Sequence, residues 1–238
     1  MNKRGSHVGV VISFVVFIVF LVFLYSITEP VLNVNRDKQF ILEHLKTELV
    51  KNVSGELIIY SFKIKDRGGL ISPGIYCFKI NSNLEDSSEI GSIVVGESVI
   101  IASKISEEGL LLINDSNPRD KFYKVYYSRE FSNNNELLNC EEIDSKNYNG
   151  SLRTEGYIFE SKILELIGEY GRNYDILKTN LGIPKGSDFS FSFINKDTEE
   201  IKTFDKNLSV NIYAEKIDLH YIDSNASINK GAINIKVW

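Results

Sequence analysis

SHVGVVISFVVFIVFLVFLYSI, residues 6–27, holds no Asp, Glu, Lys or Arg, and from Val8 to Ile27 nearly every residue is Val, Ile, Phe or Leu. As a helix it reaches about 33 Å, against a bilayer hydrocarbon core of about 30 Å. The β-branched residues Val8, Val10, Val11, Ile12, Val15, Val16, Ile18 and Val19 disfavour helix in water. In lipid every backbone polar group must be satisfied within the segment, so helix wins. The stretch therefore predicts a transmembrane helix over 6–28. Lys3, Arg4 and the terminal amine precede it, whereas Glu29 opens the far side, with Arg36 and Lys38 farther along. The positive-inside tendency places the leader 1–5 in the cytoplasm and residues 29–238 outside the cell membrane, with the lipid bilayer as the first partner. A cleaved secretory signal competes with this reading, but its apolar core is about 7–15 residues and the exit LYSITEP lacks a small-x-small site. A buried core helix is the third alternative.

Beyond the span roughly 200 residues remain, enough for one large domain or two small ones. Across all 238 residues, 43% are apolar and 25% charged, which excludes a collagen-like, disulfide-dense or wholly disordered chain. Of 27 basic and 32 acidic residues, Lys3 and Arg4 lie before the span, leaving 25 against 32 over residues 5–238. A net charge of −7 there speaks against nucleic acid as a partner.

Thr28-Glu29-Pro30 reads as a kink or a helix restart, since Pro is tolerated in a first helical turn. In VNRDKQFILEHLKTELVKNV, residues 34–53, Ile41, Leu45, Leu49 and Val53 recur every four positions with Leu42 beside them. Lys38, Glu43, Lys46, Glu48 and Lys51 fill the other faces, so 29–54 predicts an amphipathic helical extension whose apolar face needs a cover. From Gly55 the period changes to two. GELIIYSFKI, GIYCFKI, SIVVGESVIIASKI, GLLLI and KFYKVYYSREF are short β-branched and aromatic runs between turn-like segments, which predicts an antiparallel sheet. The polar, Asn-rich FSNNNELLNCEEIDSKNYNG marks a long surface loop or a subdivision near 132–150. A further helix is expected over 160–181, where Ile163, Leu164, Ile167, Tyr170, Tyr174, Leu177 and Leu181 form a stripe that Gly182 and Pro184 terminate. DFSFSFI, LSVNIYAEKIDLHYI and GAINIKVW then alternate as strands to the last residue. The fold class is α+β, with residues 55–238 as one head carried on the helical stem.

Lys3-Arg4-Gly5, followed at once by Ser6 and an uninterrupted apolar helix, resembles the class III signal of type IV pilin-like proteins, especially the archaeal ones. The resemblance implies cleavage by a membrane peptidase at Gly5-Ser6, leaving the apolar helix on the mature protein. The sequence departs from that pattern at its fifth mature position, where Val10 stands in place of a frequent Glu. A long N-terminal helix, half in the membrane and half amphipathic along a β-rich head, is also similar to pilin architecture. The helix ending in LGIP, the strand DFSFSF and the closing IKVW are similar to heads of archaeal pilin-like membrane proteins. The likeness implies a structural or adhesive role in a cell-surface assembly, with other pilin-like subunits or the chain itself as partners. The alternatives are a permanently anchored extracytoplasmic binding module that never polymerises and an ectoenzyme without familiar motifs.

Enzyme signatures are missing: there is no G-x-S-x-G, Walker loop, H-E-x-x-H or paired-cysteine motif, so no catalytic activity and no cofactor are expected. Asp218 and His220, at i and i+2 of a strand, come nearest to an acid/base pair, but ordinary alternation already makes them a solvent-facing edge. His7, His44 and His220 have no metal-ligand spacing. Cys77 and Cys140 form either a disulfide, worth roughly 4 kcal/mol in the chain-entropy model, or a pair of free thiols with Cys77 buried beside Tyr76 and Phe78. Asn52, Asn114, Asn149, Asn207 and Asn225 each begin an N-x-S sequon and are candidate glycosylation sites. In KFYKVYYSREF, whose aromatics suggest a stacking surface, alternation separates Phe122, Lys124, Tyr126 and Ser128 from Tyr123, Val125 and Tyr127, so at least one aromatic set belongs to the core.

Overall fold

A computed structural model describes the backbone of residues 6–64, 74–79, 91–96, 99–101, 103–105, 110–115, 121–131, 141–142, 148–204 and 212–238. Within the first helix it describes the side chains of residues 8–27 and 37–53. The leader 1–5, most of the Asn-rich segment and the stretch 205–211 lie outside the described residues.

One helix, α1 (Ser6–Val53), carries the chain through 48 residues. Of the kink or restart expected at Thr28-Glu29-Pro30, the restart is corrected, because α1 runs through Pro30 without a break. An internal Pro removes one backbone hydrogen bond at a cost of about 3 kcal/mol. The period-four stripe behaves as expected: Ile41, Leu42, Leu45, Leu49 and Val53 are all buried.

At Ser54 the chain turns without a loop into β1 (Ser54–Ile64), followed by β2 (Gly74–Lys79), β3 (Gly91–Gly96), β4 (Val99–Ile101), β5 (Ser103–Ile105), β6 (Leu110–Asp115), β7 (Phe122–Ser128), β8 (Glu141–Glu142) and β9 (Tyr148–Phe159). Helices α2 (Glu160–Arg172) and α3 (Tyr174–Asn180) come next, then β10 (Phe189–Ile194), β11 (Glu200–Lys202), β12 (Tyr213–Ile222) and β13 (Ile228–Val237). Among the described residues, nine strands form one sheet in the order β11-β10-β13-β12-β9-β1-β7-β3-β4, and four form a second, β5-β6-β2-β8. Both sheets are mixed rather than purely antiparallel, since β12 runs parallel to β9 and β8 parallel to β2. The first parallel pair is made possible by the long crossover through α2, α3 and the β10–β11 hairpin that separates β9 from β12.

Three apolar clusters hold these layers together. The docked half of α1, with α2 and α3, covers β10, β12 and β13 through Leu45, Leu49, Ile163, Tyr170, Phe191 and Ile235. The second cluster lies between the two sheets, where Phe62, Val94, Tyr123 and Val125 meet Tyr76, Leu111 and Ile113. The third gathers Leu57, Ile59, Phe131, Phe159 and Ile222. Strand β1 thus buries Leu57 and Ile59 on one face and Phe62 and Ile64 on the other, as a central strand must.

The single helix expected over 160–181 divides at Asn173, whose backbone (φ −140°, ψ 49°) leaves helical geometry. Gly171 and Asn173 offer weak helix propensity there, and the break lets Tyr174 reach Asp188, its hydroxyl donating over 2.8 Å. The stop signal works as expected. Gly182 sits at φ +68°, Ile183 N–H donates to Lys178 O and Gly182 N–H to Thr179 O, a Schellman closure. The closing strand β13 stops at Val237, but Trp238 still exchanges both backbone hydrogen bonds with Asp188.

Candidate functional site

The two ends of α1 have opposite surroundings. Every residue from Val8 to Ile27 is exposed, none of that window being covered by the head. Even the least exposed of its large side chains, Ile18 and Leu24, stand 41% open. The buried-core alternative is therefore excluded for this stretch. An N-terminal apolar helix of this length is compatible with a single membrane span or with a signal sequence.

Residues 37–53 of the same helix are seated in the head by polar contacts around the apolar stripe. Lys38 Nζ donates to Ser187 Oγ at 2.7 Å, and Lys46 Nζ to Glu215 Oε1 at 2.5 Å. His44 Nε2 lies 3.1 Å from Leu181 O, packed so closely on Gly182 that a Cβ there would come within 2.8 Å of it. Gly182 is thus required twice, by its left-handed backbone and by the imidazole above it. Burial draws the Lys38 ammonium below its usual range, an effect that Asp188 opposes and Lys178 reinforces. The hydrogen bond to Glu215 has the reverse effect on Lys46 and holds its ammonium above the usual range.

Asp188 organises the neighbouring turn. Its Oδ1 accepts from Tyr174 OH at 2.8 Å and from Lys178 Nζ at 2.9 Å. Burial, together with this bond to a carboxylate, pushes the Tyr174 hydroxyl far above the ordinary phenol range. Beside the turn, Asp37, Lys38, Phe40, Ile41, Pro184 and Ser187 line a cleft of about 390 Å³, within the size range of small-molecule sites. Its walls are largely apolar; the Lys38 ammonium faces Ser187 Oγ, and Ser187 N–H donates to Pro184 O. The arrangement is a fastening between the stem and the β10 end of the head.

Most of the residues singled out in the sequence are scattered. Asp218 and His220 are exposed on β12, and Asp218 pairs with Lys216 at 3.2 Å, as on the solvent-facing side of an interior strand. Among the described residues no group of three His, Cys, Asp or Glu side chains could hold a metal. Asn52, Asn114 and Asn225 are exposed, the first with its amide donating to Glu48 O. The side chains of His7, Cys77 and Asn149, and residues Lys3, Arg4, Gly5, Cys140 and Asn207 altogether, lie outside the described residues; Ser6 opens α1. The β2–β8 register sets the backbone of Cys77 opposite Glu142. In β7, Tyr123, Val125 and Tyr127 form the core set, while Phe122 stays 49% exposed and Tyr126 half-buried.

The expectation that Lys38 lies off the apolar stripe is corrected, since it falls in line with Leu45 and reaches Ser187, whereas Lys46 flanks the stripe and reaches Glu215 from beside it. Lys38 lies seven residues before Leu45, almost in line with it down the helix, so the signal is present in the helical period. Ser187 and Glu215 give no signal, because nothing local marks a residue that meets a helix more than 140 positions away. Set against protein-family profiles, curated proteins and solved structures, the chain finds a match in none of the three.

Proposed function

We propose that this chain is a single-pass, pilin-like membrane protein whose extracytoplasmic head is held out from the bilayer by α1 and serves a structural or adhesive role at the cell surface. The observation that carries the reading is the division of one continuous helix into a fully exposed apolar half and a half that forms part of the head's core. A helix built that way is stable only if a second, apolar solvent surrounds its first half. In an assembly, the exposed half exchanges lipid contacts for the helices of neighbouring subunits.

Intact-protein mass of material from the native host tests the proposal. Loss of residues 1–5, with cleavage at Gly5-Ser6, supports pilin-like processing. A full-length N-terminus favours the anchored binding module, for which the cleft between Phe40 and Pro184 is the supporting observation. A mature N-terminus beyond Ile27 identifies a secretory signal and overturns the membrane reading.

A further inference from the structure

The cleft between stem and head holds a cation that the protein leaves short of negative charge. The half-buried Lys38 ammonium has three N–H donors, and its acceptor among the described residues is a neutral one, Ser187 Oγ at 2.7 Å. Among those residues no carboxylate forms an ion pair with it. The negative charge that acts on it is that of Asp188, whose Oδ1 is already held by Tyr174 OH at 2.8 Å and by Lys178 Nζ at 2.9 Å. Two ammonium groups thus share one carboxylate, and burial adds to the imbalance by drawing the Lys38 pKa down. Asp37, exposed at the edge of the cleft, is not among the charges that bear on Lys38. A partly desolvated ammonium without a counter-ion costs free energy that an incoming anion recovers.

Ser187 completes the polar end. The residue is only 6% exposed, and its hydroxyl oxygen accepts from Lys38 while its O–H donates to no described group. An ammonium N–H and a hydroxyl O–H side by side match the two oxygens of one carboxylate. The rest of the cleft is apolar, formed by Ile41, Pro184 and Phe40, whose ring is 74% exposed. A small ring system lying there covers Phe40 and leaves its charged end at the Lys38–Ser187 pair. Inorganic phosphate or sulfate would leave that apolar wall uncovered.

We propose that this cleft is a binding site for a small amphipathic carboxylate, its apolar body seated on Phe40, Ile41 and Pro184 and its carboxylate accepting from Lys38 Nζ and Ser187 Oγ. The bound anion touches both α1 and the turn that follows Gly182, so it strengthens the seat of the stem on the head. Binding there depends on neither the membrane span nor the pilin-like reading, and its failure would leave both standing.

Equilibrium dialysis of 1-naphthoate against the full chain in phosphatidylcholine nanodiscs tests the site, with protein-free nanodiscs correcting for partition into lipid. One molecule per chain is expected, with a Kd of about 0.1–1 mM, the range for a ligand of that size. Lys38→Met should weaken binding more than about tenfold, and Phe40→Ala, a truncation at an exposed position, about three- to tenfold. 1-Naphthylmethylamine, the same ring carrying a cation, is expected to stay at the level of protein-free nanodiscs. Naphthoate that shows no protein-dependent binding at about 5 mM overturns the proposal. So does unchanged binding in Phe40→Ala, or an amine that binds as tightly as the carboxylate. If Lys38→Met fails to fold, Phe40→Ala and the amine decide the matter.

Discussion

Residues 8–27 and 37–53 belong to one helix, yet the first part shows every apolar side chain to its surroundings while the second buries Ile41, Leu42, Leu45, Leu49 and Val53 in the head. Their compositions explain the difference. The first is apolar on all sides, so no single docked face could cover it, whereas the second confines its apolar residues to one stripe and spreads Glu43, Thr47 and Lys51 over the rest. A helix thus records its solvent in the angular spread of its apolar residues rather than in their number.

Matched substitutions in the two parts sharpen that contrast. Leu45→Ala is expected to destabilise the head by about 2–5 kcal/mol, because its side chain is fully buried among α2, β12 and β13 residues. Leu21→Ala, the same deletion in the exposed part, should leave head unfolding unchanged. Urea titration of the detergent-solubilised protein, followed through Trp238, the sole tryptophan, measures both. Equal effects would break the comparison.

A charge gives the converse experiment. Ile18→Arg should oppose membrane insertion by about 2.5–3.5 kcal/mol, the cost of Arg near a helix centre in lipid, whereas Thr47→Arg, on the exposed side of the docked part, should cost almost nothing. The inserted fraction in microsomes reads the difference.

The smallest expected effect lies within the head, in the β12–β13 turn. Burial alone pushes the Asp223 carboxyl up. The backbone N–H groups of Ser227 and Asn225, the Asn229 amide and the Lys196 ammonium outweigh burial and hold it below the usual carboxylate range. A group whose folded pKa is depressed stabilises the fold above its unfolded value and loses that contribution as pH falls through the folded one. Head stability should therefore fall below about pH 4, and Asp223→Asn should flatten that fall in thermal melts across the acid range.

Strongly periodic elements are legible in the sequence. The stripe Ile41–Val53, the terminator at Gly182 and the alternation of DFSFSFI all rest on local spacing that the structure retains. Strand β9 is not legible, although it joins the two halves of the large sheet. Its sequence YNGSLRTEGYIF carries two glycines, Arg153 and Glu155, and lacks an apolar alternation. Gly150 makes sense only beside Tyr60 of β1, whose ring lies where a Cβ would be, 2.5 Å away. A strand that gives core side chains only at its end, Tyr157, Ile158 and Phe159, and backbone pairing over the rest leaves little periodic trace. The seat of the stem is half legible: the helical period can phase Lys38 onto the core side, but its acceptor Ser187 is fixed only by the fold.

A nitroxide introduced at Phe20 of the full chain in vesicles tests most directly whether the exposed half of α1 resides in lipid. Collision with dissolved oxygen should be strong and collision with a water-soluble nickel chelate nearly absent, as for a side chain near the bilayer centre. Ready collision with the nickel chelate, in protein whose head remains folded, would contradict the division of α1 between two solvents.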